Sequence, residues 1–244
     1  MIPYRELDTL FLDVGNTLLS MDFDWIAREL CERGITCDGA QIRHAEALHR
    51  PKRFLSHVDL VALPSLERRA QSLRAVLQEL PAETGPRGRE WLEVARELVP
   101  VLFPDQTSRK LWSSVMPGVP EALARFEKLG LRLVVVSNAD GKIHEMLSDR
   151  GLRAYFHTVI DSHLVGVEKP HSRIFEIALE RCGAERARAL HVGDLYEYDV
   201  VGARSAGVWP LLLDPIDVWR DVDCERVPDL LSLAARLERE REVA

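Results

Sequence analysis

The chain has 244 residues, 46% hydrophobic and 29% charged, the composition of an ordinary globular protein. Its formal net charge of −7 supplies no basic footprint for nucleic acid or an anionic membrane surface, so neither is an expected partner. No stretch reaches the ~18 apolar residues of a membrane span, and Met1-Ile2-Pro3-Tyr4-Arg5-Glu6 lacks the basic region and apolar core of a signal peptide; a cytoplasmic location is expected. Cys31, Cys37, Cys182 and Cys224 show no CxxC spacing and read as reduced thiols.

The first apolar run, Leu7–Val14, predicts a strand and contains Leu10-Phe11-Leu12-Asp13. From Met21 to Trp112 no strand is evident. Amphipathic helices are predicted over Trp25–Arg33, Gln41–Arg50, Ser65–Leu80 and Arg89–Leu102, punctuated by Pro64, Pro81, Pro86, Pro100 and Pro104. Then the pattern changes. β-rich runs at Leu131–Ser137, Thr158–Asp161, Ala189–Gly193 and Trp209–Leu213 alternate with helical patterns at Val119–Leu129, Lys142–Arg150, Ser172–Cys182 and Tyr198–Ser205. Gly130, Gly151, Gly183 and Gly207 stand where helices end. This alternation predicts an α/β fold, a parallel sheet with helices on both faces. The expected division is a core of residues 1–20 and 113–244 with an all-helical domain, 21–112, inserted after the first strand. The segment Leu233–Ala244 is expected to form a final helix with a frayed end.

In an open parallel sheet, ligands bind outside the carboxyl ends of the strands. Asp13 ends the first strand, Ser137-Asn138 the second, and Gly193-Asp194 the fourth, with Asp199 five residues on. Lys169-Pro170 lies in the loop before the Ser172 helix. Singly, these are turn formers, helix caps or surface groups; together, their convergence predicts a site.

In this order and spacing, the segments Asp13–Leu18, Val136-Ser137-Asn138, Gly166-Val167-Glu168-Lys169-Pro170 and Gly193-Asp194 through Asp199 to Gly207 resemble the haloacid dehalogenase superfamily, chiefly its aspartate-based phosphatases. The resemblance covers about residues 1–20 and 113–215. It implies a Rossmann-like, doubly wound sheet, with the helical insert as a cap that helps to choose the substrate. It implies Asp13 as a nucleophile that takes a phosphoryl group from a small phosphorylated metabolite. It further implies Mg²⁺ held by Asp13, Asp194 and the backbone carbonyl of Gly15, with Asp199 orienting Lys169 or a metal-bound water. Lys169 and Ser137 would complete the catalytic set, and Ser137, Asn138 and Lys169 would hold the phosphoryl oxygens. A monomer or a homodimer is expected.

Gly15 departs from the family pattern, which typically places there an aspartate that protonates the leaving oxygen and activates water. Loss of general acid–base catalysis costs ~10²–10⁴-fold. Three readings stay open: a phosphatase in which Asp22, Asp24 or His44 supplies the proton or the leaving group needs none; a 2-haloacid dehalogenase or phosphonatase-like hydrolase; and a noncatalytic phosphate-binding or regulatory protein. Gly-Asp194 with Asp199 argues against the dehalogenase, and Lys52 stands without a motif for the phosphonatase's Schiff base. Leu195, where a small polar residue is frequent, removes one hydrogen bond, and Asn16 replaces a common glycine. His44, His49 and His57 read as separate helical-face groups, and His163, His171 and His191 as packing or solvated groups. Trp25, Trp91 and Trp112 read as core, with Trp25 and Trp112 flanking the expected hinges.

Overall fold

The computed structural model describes residues 1–53, 63–104 and 106–242. His57 and the last two residues of the expected terminal helix lie outside the described residues. The first elements are β1 (Thr9–Leu12) and β2 (Leu19–Ser20), then helices α1 (Phe23–Glu32), α2 (Gly39–His49), α3 (Ser65–Leu77) and α4 (Trp91–Leu102). They are followed by β3 (Ser114–Val115), α5 (Val119–Lys128), β4 (Arg132–Ser137), α6 (Ile143–Ser148), β5 (Thr158–Asp161), α7 (Ser162–Val165) and α8 (Ser172–Cys182). The remainder is β6 (Ala189–Gly193), a π-helical turn at Tyr196–Val201, α9 (Gly202–Ser205), β7 (Trp209–Leu213), β8 (Arg226–Val227) and α10 (Leu230–Glu242).

Two compact units result: Met1–Ser20 with Trp112–Ala244, and Met21–Leu111. In the first, six strands lie in the order β5-β4-β1-β6-β7-β8, every pair parallel. Side chains alternate across a strand, so each strand feeds two cores. Leu10, Leu12, Leu133, Val135, Leu190 and Val192 pack on one face with Leu123 and Phe126 of α5 and Leu233 and Leu237 of α10. Phe11, Val134, Val136 and Ile160 pack on the other with Ile174, Phe175 and Ala178 of α8. Each such large side chain contributes roughly 1.5–3 kcal/mol relative to exposure. Helices on both faces of a parallel sheet make this the Rossmann-like, doubly wound α/β fold.

Three strands fall outside the sequence-based expectations. β2 and β3 form a separate antiparallel pair, and β8 adds a sixth strand at the sheet edge. Each has only two residues, too few for a periodic pattern to declare itself. The stretch expected as one helix over Tyr198–Ser205 begins instead as the π-helical turn at Tyr196.

In the second unit, side-chain caps set the helix starts. Asp22 accepts from the Trp25 amide ahead of α1, and Asp38 and Gln41 form a capping box ahead of α2. A buried Glu46–Arg50 ion pair at 2.7 Å spans one turn of α2. His44 faces solvent while His49 is buried, so the two point to different sides of α2. Among the described residues, no helix is long and apolar enough to cross a membrane.

Candidate active site

β1 lies between β4 and β6, so its carboxyl end is central. The Asp13 amide donates to the Val192 carbonyl at 3.0 Å, extending the β1–β6 ladder by one residue. The chain then turns at once: the amides of Leu18 and Leu19 both donate to the Val14 carbonyl at 2.9 Å. Asn16 sits in the left-handed region at φ 53°, a conformation that Asn tolerates better than most residues. The turn leaves the Asp13 carboxylate 7% exposed, at the edge of the buried core.

Lys169 reaches it from the loop before α8. Its Nζ donates to Asp13 Oδ1 at 2.8 Å and to Asp199 Oδ1 at 2.6 Å. Burial opposes the charged ammonium, but the carboxylates of Asp13 and Asp199 outweigh it and hold Lys169 above the ordinary lysine range. Burial likewise works against the Asp199 carboxylate; the Lys169 charge and the His191 hydrogen bond win and hold it below the usual range. Both Asp199 oxygens are engaged. Oδ1 meets His191 Nε2 at 2.8 Å as well as Lys169, and Oδ2 accepts from the Leu195 amide at 2.9 Å. The π-helical turn brings this about by folding residues 195–199 back on themselves. Gly193 makes room, since a Cβ there would lie 2.1 Å from Asp199 Cγ.

His191, expected as a packing or solvated residue, is therefore part of the polar cluster. Burial lowers its pKa below the ordinary imidazole value against the pull of Asp199. Its Nδ1 is buried without a hydrogen-bond partner. A proton on both nitrogens would bury an unpaired N–H, so the ring is neutral and donates from Nε2 to Asp199. The available signal was its place in β6: Leu190 and Val192 point to one face, and His191 alone turns a polar group to the other.

Asp194 follows β6 directly and is 2% exposed. The Asn16 side-chain amide donates to its Oδ2 at 3.1 Å, and the buried Trp219 indole N–H donates to its backbone carbonyl at 3.1 Å. Asn16, expected only to tolerate the turn, thus also reaches an acidic site residue. Trp219 was not anticipated, because no sequence pattern links it to Asp194 before the chain folds. Asp13, Asp194 and Asp199 offer carboxylate oxygens that all lie within 4.8 Å of one another. Three carboxylates against one ammonium leave two negative charges in excess. Two unit charges ~5 Å apart repel by roughly 3 kcal/mol at an effective dielectric near ~20. A set of oxygen donors with that deficit fits a hard divalent cation. Both Asp199 oxygens already accept from protein donors, which leaves Asp13 and Asp194 as the carboxylates better suited to holding it.

Ser137 ends β4 and is 3% exposed. The loop after it is fixed from β5: the buried Asp161 carboxylate accepts from the amides of Gly141 and Ile143 at 3.2 and 3.4 Å, and Ser162 Oγ accepts from the Ala139 amide at 3.1 Å. Asn138 makes a two-way pair with the Lys169 backbone, donating to its carbonyl at 2.9 Å and accepting from its amide at 2.7 Å. On the other side of Asp13, Gly15 carries no side chain, and the Trp112 indole covers it. A Cβ at position 15 would lie 3.2 Å from Trp112 Cη2 and Cζ3.

Acids and a lysine gathered outside the carboxyl edge of a doubly wound sheet place this chain among α/β proteins with a strand-end ligand site. The sequence is more specific: a family profile for haloacid dehalogenase-like hydrolases matches residues 7–207, and the chain belongs to that family. It is 32% identical to a phosphoserine phosphatase of Thermus thermophilus over 240 residues, 91% of this chain and 93% of the relative. It is 39% identical over 129 residues to haloacid dehalogenase-like hydrolase domain-containing protein 3 of Mus musculus, covering 50% of this chain. The chain spans about half the length of that relative, 51%. The fold is shared with a HAD phosphatase from Thermococcus onnurineus, at TM-score 0.60 and 21% identity over 96% of this chain and 100% of the other.

Proposed function

We propose that the protein is a Mg²⁺-dependent phosphatase that hydrolyses a small phosphorylated metabolite through an aspartyl-phosphate on Asp13. The observation that carries this reading is the buried Asp13–Lys169–Asp199 bridge, which holds a cation 2.8 Å from one oxygen of a strand-end carboxylate. Phosphatase relatives support it, including the Thermus protein that aligns over most of both chains.

Asp13 attacks phosphorus through its second carboxylate oxygen. Lys169 stays charged and offsets the repulsion between that carboxylate and the phosphate dianion. Asp199 positions Lys169, and His191 and the Leu195 amide keep Asp199 in place. Ser137 and the backbone amide of Asn138, on the loop that Asp161 fixes, hold the phosphoryl oxygens. Asp13, Asp194 and the Gly15 carbonyl would hold Mg²⁺, which supplies further charge neutralisation at the phosphoryl group. Water then attacks phosphorus and returns the free Asp13 carboxylate.

Phosphate release from p-nitrophenyl phosphate, with and without Mg²⁺, tests the reading. Release is expected to require the metal and to fall by at least ~10³-fold in Asp13→Asn, the scale of losing a nucleophile. Chloride release from 2-haloacids without metal would replace this reading with a dehalogenase. Phosphate binding without turnover of any ester would replace it with a binding protein.

A further inference from the structure

Gly15 is not a glycine that the backbone demands. It is absent from the residues with positive φ, where side chains are disfavoured. What excludes a side chain is Trp112. The six-membered ring lies 3.2 Å from the position of a Cβ at two of its carbons and 3.9 Å at a third. A Cβ at 15 requires the ring to give by a few tenths of an ångström and a carboxylate beyond it requires more, while the ring packs half-buried against the main core cluster. A carboxylate placed there would also lose hydration to an aromatic surface.

The other acidic and imidazole groups of this unit around Asp13 are committed elsewhere. Asp199 is saturated by Lys169, His191 and the Leu195 amide, and Asp194 accepts from Asn16. His191 is fully buried with its N–H directed at Asp199. The turn side of Asp13 therefore presents backbone, the Thr17 hydroxyl and an indole, and no carboxyl or imidazole, where a general acid would have to stand.

We propose that Trp112 takes the place of the general acid. It walls the turn side of Asp13 with an aromatic surface and restricts the enzyme to phosphates whose leaving oxygen departs as a stable anion: acyl, enol and aryl phosphates rather than alkyl phosphates. This rests on the phosphatase reading above and narrows its substrate class. In the first step, Asp13 forms a bond to phosphorus, the bond from phosphorus to the leaving oxygen breaks, and the electron pair stays on that oxygen without a proton. In the second, water adds to phosphorus and the bond to Asp13 breaks. The carboxylate returns, and both hydrogens of the water leave with dihydrogen phosphate, which equilibrates with the buffer.

The test is a series of aryl phosphates of rising leaving-group pKa, with acetyl phosphate and an alkyl phosphate at either end. It is run at saturating Mg²⁺ on the full chain and on Gly15→Asp, Trp112→Ala and the double variant. For the wild type, kcat/KM is expected to fall steeply along the series, with the alkyl ester ~10²–10⁴-fold behind, the worth of a general acid. Gly15→Asp alone should stay steep, and Gly15→Asp with Trp112→Ala should flatten. A flat wild-type series overturns the proposal, as does flattening by Gly15→Asp alone or a double variant as steep as the wild type. Should a variant fail to fold, the wild-type series decides. No release from any ester would remove the underlying phosphatase reading instead.

Discussion

The two sides of Asp13 are built on opposite principles. Toward Lys169, four buried polar side chains, Asp13, Lys169, Asp199 and His191, are joined in one chain of ion pairs and hydrogen bonds. Toward Gly15, the structure offers a turn of backbone and an indole in van der Waals contact. A buried polar cluster is all or nothing, because each member left unpaired carries a full desolvation cost. An aromatic contact gives way by tenths of an ångström. On the proposed reading, the charged side sets whether chemistry happens, and the aromatic side is free to set on what.

The largest expected effect comes from breaking the charged side at its centre. Lys169→Met should abolish phosphate release and lower unfolding free energy by about 3–5 kcal/mol, because Asp13 and Asp199 would face each other without their cation. Urea melts measure this; a loss under ~1 kcal/mol would mean that the bridge is solvated and the contrast false. A smaller, paired effect compares the two sides directly. Gly193→Ala should cost about 3 kcal/mol, the upper end of ordinary overpacking, since its Cβ would collide with the Asp199 carboxyl carbon. Gly15→Ala should cost about 1 kcal/mol, since only the indole must shift. Equal costs would erase the distinction.

The smallest effect is pH-dependent. Burial keeps His191 neutral in the folded protein, while the unfolded chain takes up a proton near its ordinary pKa of ~6.5. Its contribution is thus fully present above that value and is lost as pH falls toward the depressed folded pKa. The loss grows as pH falls below ~6.5, because the unfolded chain then binds a proton that the folded chain does not. Urea midpoints at neutral and acid pH should differ less in His191→Gln than in the wild type; parallel losses would show that another group titrates.

What the sequence reveals about this site follows the same division. Asp13, Lys169, Asp194 and Asp199 could be singled out because each follows an apolar run or a loop motif at a strand end, where local pattern and function coincide. The alternation of strands and helices likewise yields the doubly wound sheet. His191 could not be assigned, because a lone histidine in a strand reads as packing until β6 is set beside β1 and Asp199 folds back over Gly193. Trp112 and Trp219 meet Gly15 and Asp194 only through tertiary contacts, the second across 25 residues of sequence, that no local pattern encodes. Asn16 was visible as a departure from glycine, but its reach to Asp194 depends on a left-handed turn that no periodicity encodes.

The Asn138 side chain has a consequence of a different kind. By exchanging two hydrogen bonds with the Lys169 backbone, its amide group imitates a neighbouring strand and welds together two loops 31 residues apart in sequence. The loop after β4 and the placement of the Lys169 ammonium are then one mechanical part. Displacement of either loop must be matched by the other, and because Asn138 grips main chain rather than the Lys169 side chain, the coupling survives any non-proline residue at 169.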